Sequence, residues 1–223
     1  MKSPLGRCNF WNEGTPIQLT ESWRLALSML SACSPDKPAF KSIDITGADY
    51  ARDFKWADHN GQLRSIADFR GKVVVLEWLN PACPYVVRHY RSGNMQSTQT
   101  VAAADGAVWL QVNSTAMGDL DPEKSMEWQK KQGVVATAYI RDQSGKLGRL
   151  FGAQTTPHCF VIGRDGTLAY QGAIDDQSQA TQANTPAAHN YVKAALAALK
   201  AGQSVEKATT QPYGCGVKYG DGS

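Results

Sequence analysis

Regular patterns of hydrophobic and polar positions begin near residue 41. Short alternating runs flank residues 58–61, whose Asn-Gly pair predicts a tight turn, so we expect a β-hairpin there. The almost continuous apolar run at residues 73–79 is typical of a strand that is buried on both faces. Apolar segments predict four further strands, of which the last two form a second hairpin: residues 107–113, 138–140, 159–162 and 167–170.

Helical spacing of apolar positions occupies the segments between these strands. It predicts a long helical stretch that breaks near residues 92–94, a helix that Pro122 opens and Gly133 ends, and a final alanine-rich helix. The predicted ranges are 83–104, 122–131 and 186–200, with single helical turns at 66–69 and 146–151. This order of elements predicts an α/β fold with a central mixed sheet, helices on both faces and an N-terminal β-hairpin.

The composition fits one globular domain with an additional segment. The chain has 223 residues, of which 42% are hydrophobic and 19% are charged, and this excludes a disordered or fibrous protein. The net charge is +3 and no cluster of Lys and Arg is present, so we expect no nucleic-acid partner. The longest apolar stretches fall far short of the ~20 residues of a membrane-spanning helix.

Residues 1–40 differ from the rest and are expected to form a leader or a disordered arm. Residues 30–33 (Leu-Ser-Ala-Cys) resemble the lipobox of a bacterial lipoprotein signal, in which Cys33 would carry the lipid. The apolar run after Arg24 is barely long enough for a secretory leader, so an arm with an accidental Cys33 is equally consistent. The leader interpretation predicts a periplasmic or envelope protein, attached to the membrane only through Cys33, and the other interpretation predicts a cytoplasmic one. A domain is expected at 41–202 and a cysteine-containing tail at 203–223.

Five cysteines are spread along the chain without a CxxC pair. Cys8 and Cys159 are expected to take no part in chemistry, Cys159 because it lies within a predicted buried strand. The wide cysteine spacing and the presence of only four histidines weaken a metal interpretation, so we expect neither a metal nor a cofactor.

Cys83 lies where a buried strand gives way to a helix. Pro81 forces an extended turn and Pro84 occupies a position in the first helical turn, which places Cys83 at or beside the helix N-cap. Free backbone N–H groups and the positive end of the helix dipole meet there and can lower the pKa of a cysteine. The carboxyl end of a central strand is also where open α/β sheets carry their sites. Cys83 is therefore the candidate nucleophile.

Pro157 follows Thr156 and precedes an interior strand, where a proline is unusual. It is either a cis-proline that presents polar groups to a neighbouring site or an ordinary proline at the start of a strand. The local sequence does not distinguish the two.

The segments around these residues resemble the thioredoxin-like redoxins, which include peroxiredoxins and periplasmic thiol-disulfide proteins. The likeness covers residues 50–200 and is carried by the lead-in at 71–76, by Cys83 at its turn and by Thr156-Pro157 before residues 160–166. It is greatest for peroxiredoxin-like redoxins of the alkyl hydroperoxide reductase and thiol-specific antioxidant type with an Asn-Pro-x-Cys-Pro turn. The resemblance implies a thioredoxin fold in which Cys83 is the reactive thiol and Pro157 is a cis-proline that faces it.

The chain also departs from this family. Val86 stands where thioredoxins carry a second cysteine, which indicates a monothiol site. Asn80 stands where peroxiredoxins carry Thr or Ser, and Pro157 lies about where they carry a catalytic arginine. These departures argue against efficient peroxide reduction, although Asn80 could donate a hydrogen bond instead. Positive charge could come from His158 or Arg149.

The sequence predicts a thiol-dependent oxidoreductase that reduces a peroxide or exchanges with a disulfide. Cys83 would attack the substrate, and Cys215 in the Gly-flanked tail or an external thiol reductant would resolve the intermediate. A packed or dangling Cys215 without a role is equally consistent. The residues expected to orient the substrate belong to the two turns beside Cys83 and Pro157: Asn80, Pro84, Thr156, Pro157 and His158. The alternatives are a non-catalytic envelope protein that binds a thiol, a metal or a protein, and a purely structural domain.

Overall fold

The computed structural model describes residues 55–57, 63–116, 121–179 and 188–220. The chain divides into two compact units, Met1–Ala39 and Phe40–Ser223, and every described residue belongs to the second. The predicted leader, its lipid attachment at Cys33 and Cys8 lie outside the described residues. Within the four described ranges, no helix has the length and apolar character needed to cross a membrane.

The described part of the domain opens with the predicted hairpin. β1 (Lys55–Ala57) pairs antiparallel with β2 (Leu63–Ser65), and a 3-10 turn at Ile66–Phe69 follows. Trp56 and Ile66 are buried, so this hairpin contributes to the hydrophobic core.

A five-stranded mixed sheet forms the centre of the domain. β3 (Val74–Trp78) pairs in parallel with β4 (Val108–Asn113), which pairs in parallel with β5 (Ala138–Arg141). On its other side, β3 pairs antiparallel with β7 (His158–Ile162), which forms a hairpin with β8 (Leu168–Gly172). The strand order is β5-β4-β3-β7-β8, and every residue of the central strand β3 is buried, as the apolar run predicts.

Helices cover both faces of this sheet. α1 (Pro84–Arg91), α2 (Asn94–Ala104) and α5 (Tyr191–Lys200) lie on one face, where they share a buried cluster with Val75. Trp128 of α3 (Pro122–Gln132) packs against the same cluster. α4 (Lys146–Phe151) lies on the other face with Leu76, because successive side chains of a strand point to opposite faces.

Most helix boundaries follow the sequence, and the last one does not. Gly93, at φ 74°, separates α1 from α2 where the break is predicted, and Gly133 ends α3. The last helix begins at Tyr191 rather than at residue 186, so its predicted start is wrong. The side chain of Asn190 caps it by accepting a hydrogen bond from the Lys193 N–H at 2.8 Å, and residues 188–190 are not helical.

The C-terminal segment adds a third sheet, which has two strands. β6 (Thr155–Thr156) pairs antiparallel with β9 (Cys215–Gly216). Further along, the Tyr219 hydroxyl donates a hydrogen bond to the Ala153 carbonyl at 2.7 Å. The C-terminal segment therefore runs beside β6 and brings Cys215 to the strand that precedes Pro157.

Candidate active site

Cys83 is the N-cap of α1, as the sequence predicts. Its backbone is extended (φ −73°, ψ 124°), and Pro84 follows in the first helical turn. The Asn80 carbonyl accepts a hydrogen bond from the Cys83 N–H at 2.9 Å, and the Asn80 side-chain oxygen accepts one from the Ala82 N–H at 2.9 Å. These bonds fix the turn that carries the thiol from the end of β3 to the helix. The side chain itself is almost fully buried, at 3% exposure.

The Thr156–Pro157 segment contacts the Cys83 thiol directly. The Thr156–Pro157 peptide bond is cis, which decides between the two interpretations of this proline. The Cys83 thiol donates a hydrogen bond to the Thr156 carbonyl at 3.0 Å. The Thr156 hydroxyl is buried and has no partner other than this sulfur among the described residues. It is thus a spare donor for a thiolate at Cys83.

Cys215 lies beside Cys83, although the two are far apart in the sequence. In the β6–β9 pair, Cys215 is opposite Thr156, and its thiol is within hydrogen-bonding range of the Cys83 thiol. Gly214 makes this close approach possible, because a Cβ at that position would lie only 2.1 Å from the Thr156 carbonyl oxygen. The structure therefore places the free thiol of Cys215, the predicted candidate for the resolving cysteine, beside the free thiol of Cys83.

The surroundings give the two thiols different acidities. Burial raises the pKa of Cys83, but hydrogen bonds from the Cys215 thiol and the Thr156 side chain act against it. The backbone N–H groups of Val86 and Cys215 also stabilise the thiolate, and the pKa of Cys83 lies below its ordinary value. Burial raises the pKa of Cys215 to about 12, and both its hydrogen bond to Cys83 and the charge of that sulfur act in the same direction. Cys83 is therefore the more acidic member of the pair, and Cys215 is the member that holds its proton more strongly.

The other predicted residues take different places. The Asn80 amide also donates to the Thr115 hydroxyl at 3.4 Å, so its side chain builds the turn. His158 is buried, and its Nδ1 accepts a hydrogen bond from the Gln154 N–H at 3.2 Å. Burial lowers the pKa of His158 to about 4, so the ring is neutral and the prediction that it supplies positive charge is wrong. Arg149 donates to the Ser144 carbonyl and, at the far end of the C-terminal segment, to the Gly220 carbonyl, both at 2.6 Å.

Cys159 is the third described free thiol and lies in the interior of β7. It is fully buried, and burial raises its pKa well above the ordinary value. The carboxylates of Glu77 and Asp175 raise it further. Its thiol therefore stays protonated and has no route to substrate, which agrees with the prediction that it is inert.

A buried cluster of hydrogen-bonded polar side chains next to the thiol pair was not predicted from the sequence. Tyr213 lies two residues before Cys215, with its ring centre 6.0 Å from that of Tyr85 on α1. Its hydroxyl accepts a hydrogen bond from Arg88 at 3.0 Å and donates one to Asp175. The tyrosine beside Cys215 is the only sequence signal of this cluster, since Arg88 and Asp175 are residue types that usually lie at the surface.

Three features together define a thioredoxin-like protein. The mixed sheet has this strand order, a thiol lies at the start of the helix that follows the central strand, and a cis-proline segment contacts that thiol. The model of the AhpC/TSA family matches residues 48–171, which is more than half of the chain. The chain belongs to this family, and its predicted thioredoxin-like fold is confirmed. The matched range contains Cys83 and Pro157 and ends before Cys215.

The chain is similar to several solved structures. A hypothetical protein of Sinorhizobium meliloti 1021 is 25% identical, with a TM-score of 0.65, over 76% of this chain and 92% of its own. An uncharacterized conserved protein of Geobacillus kaustophilus is 20% identical, with a TM-score of 0.63, over 76% of this chain and 91% of its own. A secreted disulfide oxidoreductase of Mycobacterium tuberculosis is 20% identical, with a TM-score of 0.42, over 54% of this chain and 84% of its own. No curated protein matches the chain.

Proposed function

We propose that this protein is a two-thiol oxidoreductase in which Cys83 attacks the substrate and Cys215 resolves the intermediate. One observation carries the proposal: the two thiols are within hydrogen-bonding range, and their pKa values are shifted in opposite directions. A nucleophile needs the thiolate, whereas a resolving thiol needs to lose its proton only after Cys83 has reacted and no longer carries the charge that raises its pKa. Cys83 and Cys215 meet these two requirements respectively.

The proposed chemistry is balanced with either of two substrates. With a peroxide, the Cys83 thiolate attacks one oxygen, the O–O bond breaks, an alcohol or water leaves and Cys83 becomes a sulfenic acid. With a disulfide, the Cys83 thiolate attacks one sulfur, the substrate S–S bond breaks, the other sulfur leaves as the first substrate thiol and Cys83 forms a mixed disulfide. In both cases Cys215 then loses its proton and attacks the Cys83 sulfur, which gives a Cys83–Cys215 disulfide and releases water or the second substrate thiol. An external thiol reductant restores the two thiols.

Different observations favour the two substrates. The 3% exposure of Cys83 favours a small oxidant such as a hydroperoxide over a large protein disulfide. The neutral His158 and the distant contacts of Arg149 favour disulfide exchange, because neither residue brings positive charge to an O–O bond. The turn that Asn80 builds, Pro84 and the Thr156–Pro157 segment would orient either substrate. The Thr156 hydroxyl, which has no partner other than the Cys83 sulfur among the described residues, would stabilise the Cys83 thiolate.

The test uses three variants, in each of which one cysteine is replaced, and one equivalent of hydrogen peroxide or of oxidised glutathione. We expect mass spectrometry to show a peptide linked through Cys83 and Cys215 in the wild type and in the control Cys159→Ala. Cys83→Ser should form no link, and Cys215→Ser should accumulate a sulfenic acid with peroxide or a mixed disulfide with glutathione. The faster of the two oxidants in a stopped-flow comparison identifies the substrate class.

Two results would contradict the proposal. If the wild type forms no Cys83–Cys215 link with either oxidant, the pair is not a redox pair, and the alternative of a non-catalytic thiol-binding protein is favoured. If Cys83→Ser keeps its turnover with a thiol reductant, the nucleophile is another residue.

A further inference from the structure

A buried polar cluster connects the helix that carries Cys83 with the segment that carries Cys215. We call it the Tyr213 clasp, and it consists of Arg88, Asp175 and Tyr213. The Arg88 guanidinium donates to the Tyr213 hydroxyl at 3.0 Å, that hydroxyl donates to the Asp175 carboxylate, and the two charged groups are 3.9 Å apart. The side chains of Arg88 and Asp175 are 6% and 0% exposed, so these contacts are shielded from water.

The charged half of the clasp is held independently of Tyr213. Arg88 also donates to the Gln177 carbonyl at 2.6 Å, and Asp175 accepts a hydrogen bond from the Gln177 N–H at 3.0 Å. The Asn94 amide at the start of α2 donates to the other oxygen of Asp175 at 2.9 Å. Arg88 and Asp175 thus keep their positions between α1 and the segment after β8 without Tyr213, and the C-terminal segment contributes Tyr213 to the clasp.

We propose that Tyr213 is a positioning residue that holds the Cys215 thiol at Cys83. Only Gly214 separates it from Cys215, so anchoring the tyrosine ring and hydroxyl leaves the thiol little freedom to move away. The inference rests on the proposed function in one respect, which is that the two thiols form a disulfide with each other. A tethered partner reacts in proportion to its effective concentration, and this falls when the tether is loosened.

The hydroxyl can be removed without removing the ring. Tyr213→Phe keeps the ring against Tyr85 and under the Arg88 guanidinium, whose central carbon lies 5.6 Å from the ring centre. The substitution removes the hydrogen bonds of the Tyr213 hydroxyl with Arg88 and with Asp175. A hydrogen bond to a charged group is worth about tenfold or more in the equilibrium constant of the process that forms it. Burial and Asp175 raise the pKa of Tyr213, so the hydroxyl that is lost is a neutral donor at every ordinary pH.

The experiment measures the equilibrium between the Cys83–Cys215 dithiol and its disulfide in glutathione redox buffers. We expect Tyr213→Phe to lower the equilibrium constant for disulfide formation about 10- to 100-fold. The matched control is Tyr219→Phe, which removes one hydrogen bond to the neutral Ala153 carbonyl in the same segment and should change the constant less than about threefold. A general loss of stability would lower the melting temperature without shifting this constant, so circular dichroism separates the two effects.

The outcomes distinguish this inference from the proposed function. If the wild type forms the disulfide and Tyr213→Phe forms it with a constant within about twofold, the positioning role is wrong and the proposed function stands. If the wild type forms none, the proposed function is wrong. Should Tyr213→Phe fail to fold, Asp175→Asn weakens the same contact and must shift the constant in the same direction. In the double variant, the two changes should be less than additive, because both act on one contact.

Discussion

Replacing Gly214 with alanine should separate the two thiols of the candidate site. Gly214 has φ 144°, a conformation that residues with a side chain rarely adopt, and it lies against the backbone of β6. A Cβ added there would lie 2.1 Å from the Thr156 carbonyl oxygen and 2.7 Å from the carbonyl carbon. Both neighbours are backbone atoms, so no side-chain rotation relieves the overlap.

The size of the effect follows from this overlap. Because Cβ atoms essentially never approach another atom within 3.0 Å, the 2.1 Å contact requires a shift of about 1 Å. Overpacking of this kind costs about 1–3 kcal/mol, and the unfavourable φ adds about 1 kcal/mol. The dithiol can relieve the strain by moving Cys215 away from Thr156, whereas the disulfide holds Cys215 in place. A strain of about 2 kcal/mol lowers the equilibrium constant for disulfide formation about 30-fold.

The assay is the glutathione equilibrium of the purified chain, quenched with acid and read by mass spectrometry. Gly216 provides a matched control, since it flanks Cys215 on the other side and has no atom within 4 Å of an added Cβ. Gly216→Ala should therefore change the constant less than about twofold. Equal constants for Gly214→Ala and Gly216→Ala would refute the reasoning, because the contact with Thr156 would then not be what holds Cys215 near Cys83.

Three further predictions follow from the surroundings of individual groups. Cys215→Ala removes a hydrogen bond to the Cys83 thiolate and should raise the pKa of Cys83, measured by thiolate absorbance against pH; an unchanged titration contradicts the pairing. Burial lowers the pKa of His89 to about 3 and that of His158 to about 4, whereas both histidines have a pKa of about 6.5 in the unfolded chain. Below pH 6.5 the unfolded chain therefore binds more protons than the folded chain does. The free energy of unfolding in urea should therefore fall by about 3 kcal/mol from pH 6.5 to pH 5, and a flat profile would contradict the burial of the two rings. Glu77→Gln places an amide among donors from Tyr90, Gln99, Trp109 and Gln111, and should cost about 2 kcal/mol of unfolding free energy without changing the thiol–disulfide constant.

The part of the site around Cys83 could be predicted because its determinants are local. The apolar run before it sets a buried strand, and Pro81 and Pro84 set the turn and the helix start within the same short segment. The cis state of Pro157 could not be decided from the local sequence in the same way, because the Thr156 carbonyl faces the Cys83 thiol, which comes from a distant part of the chain. The local sequence therefore located the two turns, and only the family resemblance implied the contact between them.

The sequence offers Cys215 as a candidate partner thiol, but it could not decide between this role and a thiol without one, because tertiary contacts bring Cys215 to Cys83. β6 and β9 contain two residues each, too few to show a hydrophobic period. Tyr213 is held by Arg88 and Asp175, whose burial depends on the packing of three separate segments. The neutral state of His158 has the same origin, since burial rather than the neighbouring sequence lowers its pKa.

The fold thus supplies the proximity that a CxxC pair would supply by sequence. A cysteine three residues after Cys83 would stay near it even in the unfolded chain, whereas Cys215 is near it only while the C-terminal segment is packed on β6. Folding raises the effective concentration of Cys215 at Cys83 by some factor. By linkage, a disulfide between the two would raise the folding equilibrium constant by the same factor. A loop closed between residues 83 and 215 removes about 5 kcal/mol of chain entropy from the unfolded state, far more than a CxxC loop does. If Cys83 and Cys215 form the proposed disulfide, a reductant that opens it would lower the free energy of unfolding by up to that amount, while the C-terminal segment stays packed on β6 as it is with both thiols free. The redox state and the stability of this chain would then be coupled through Cys215.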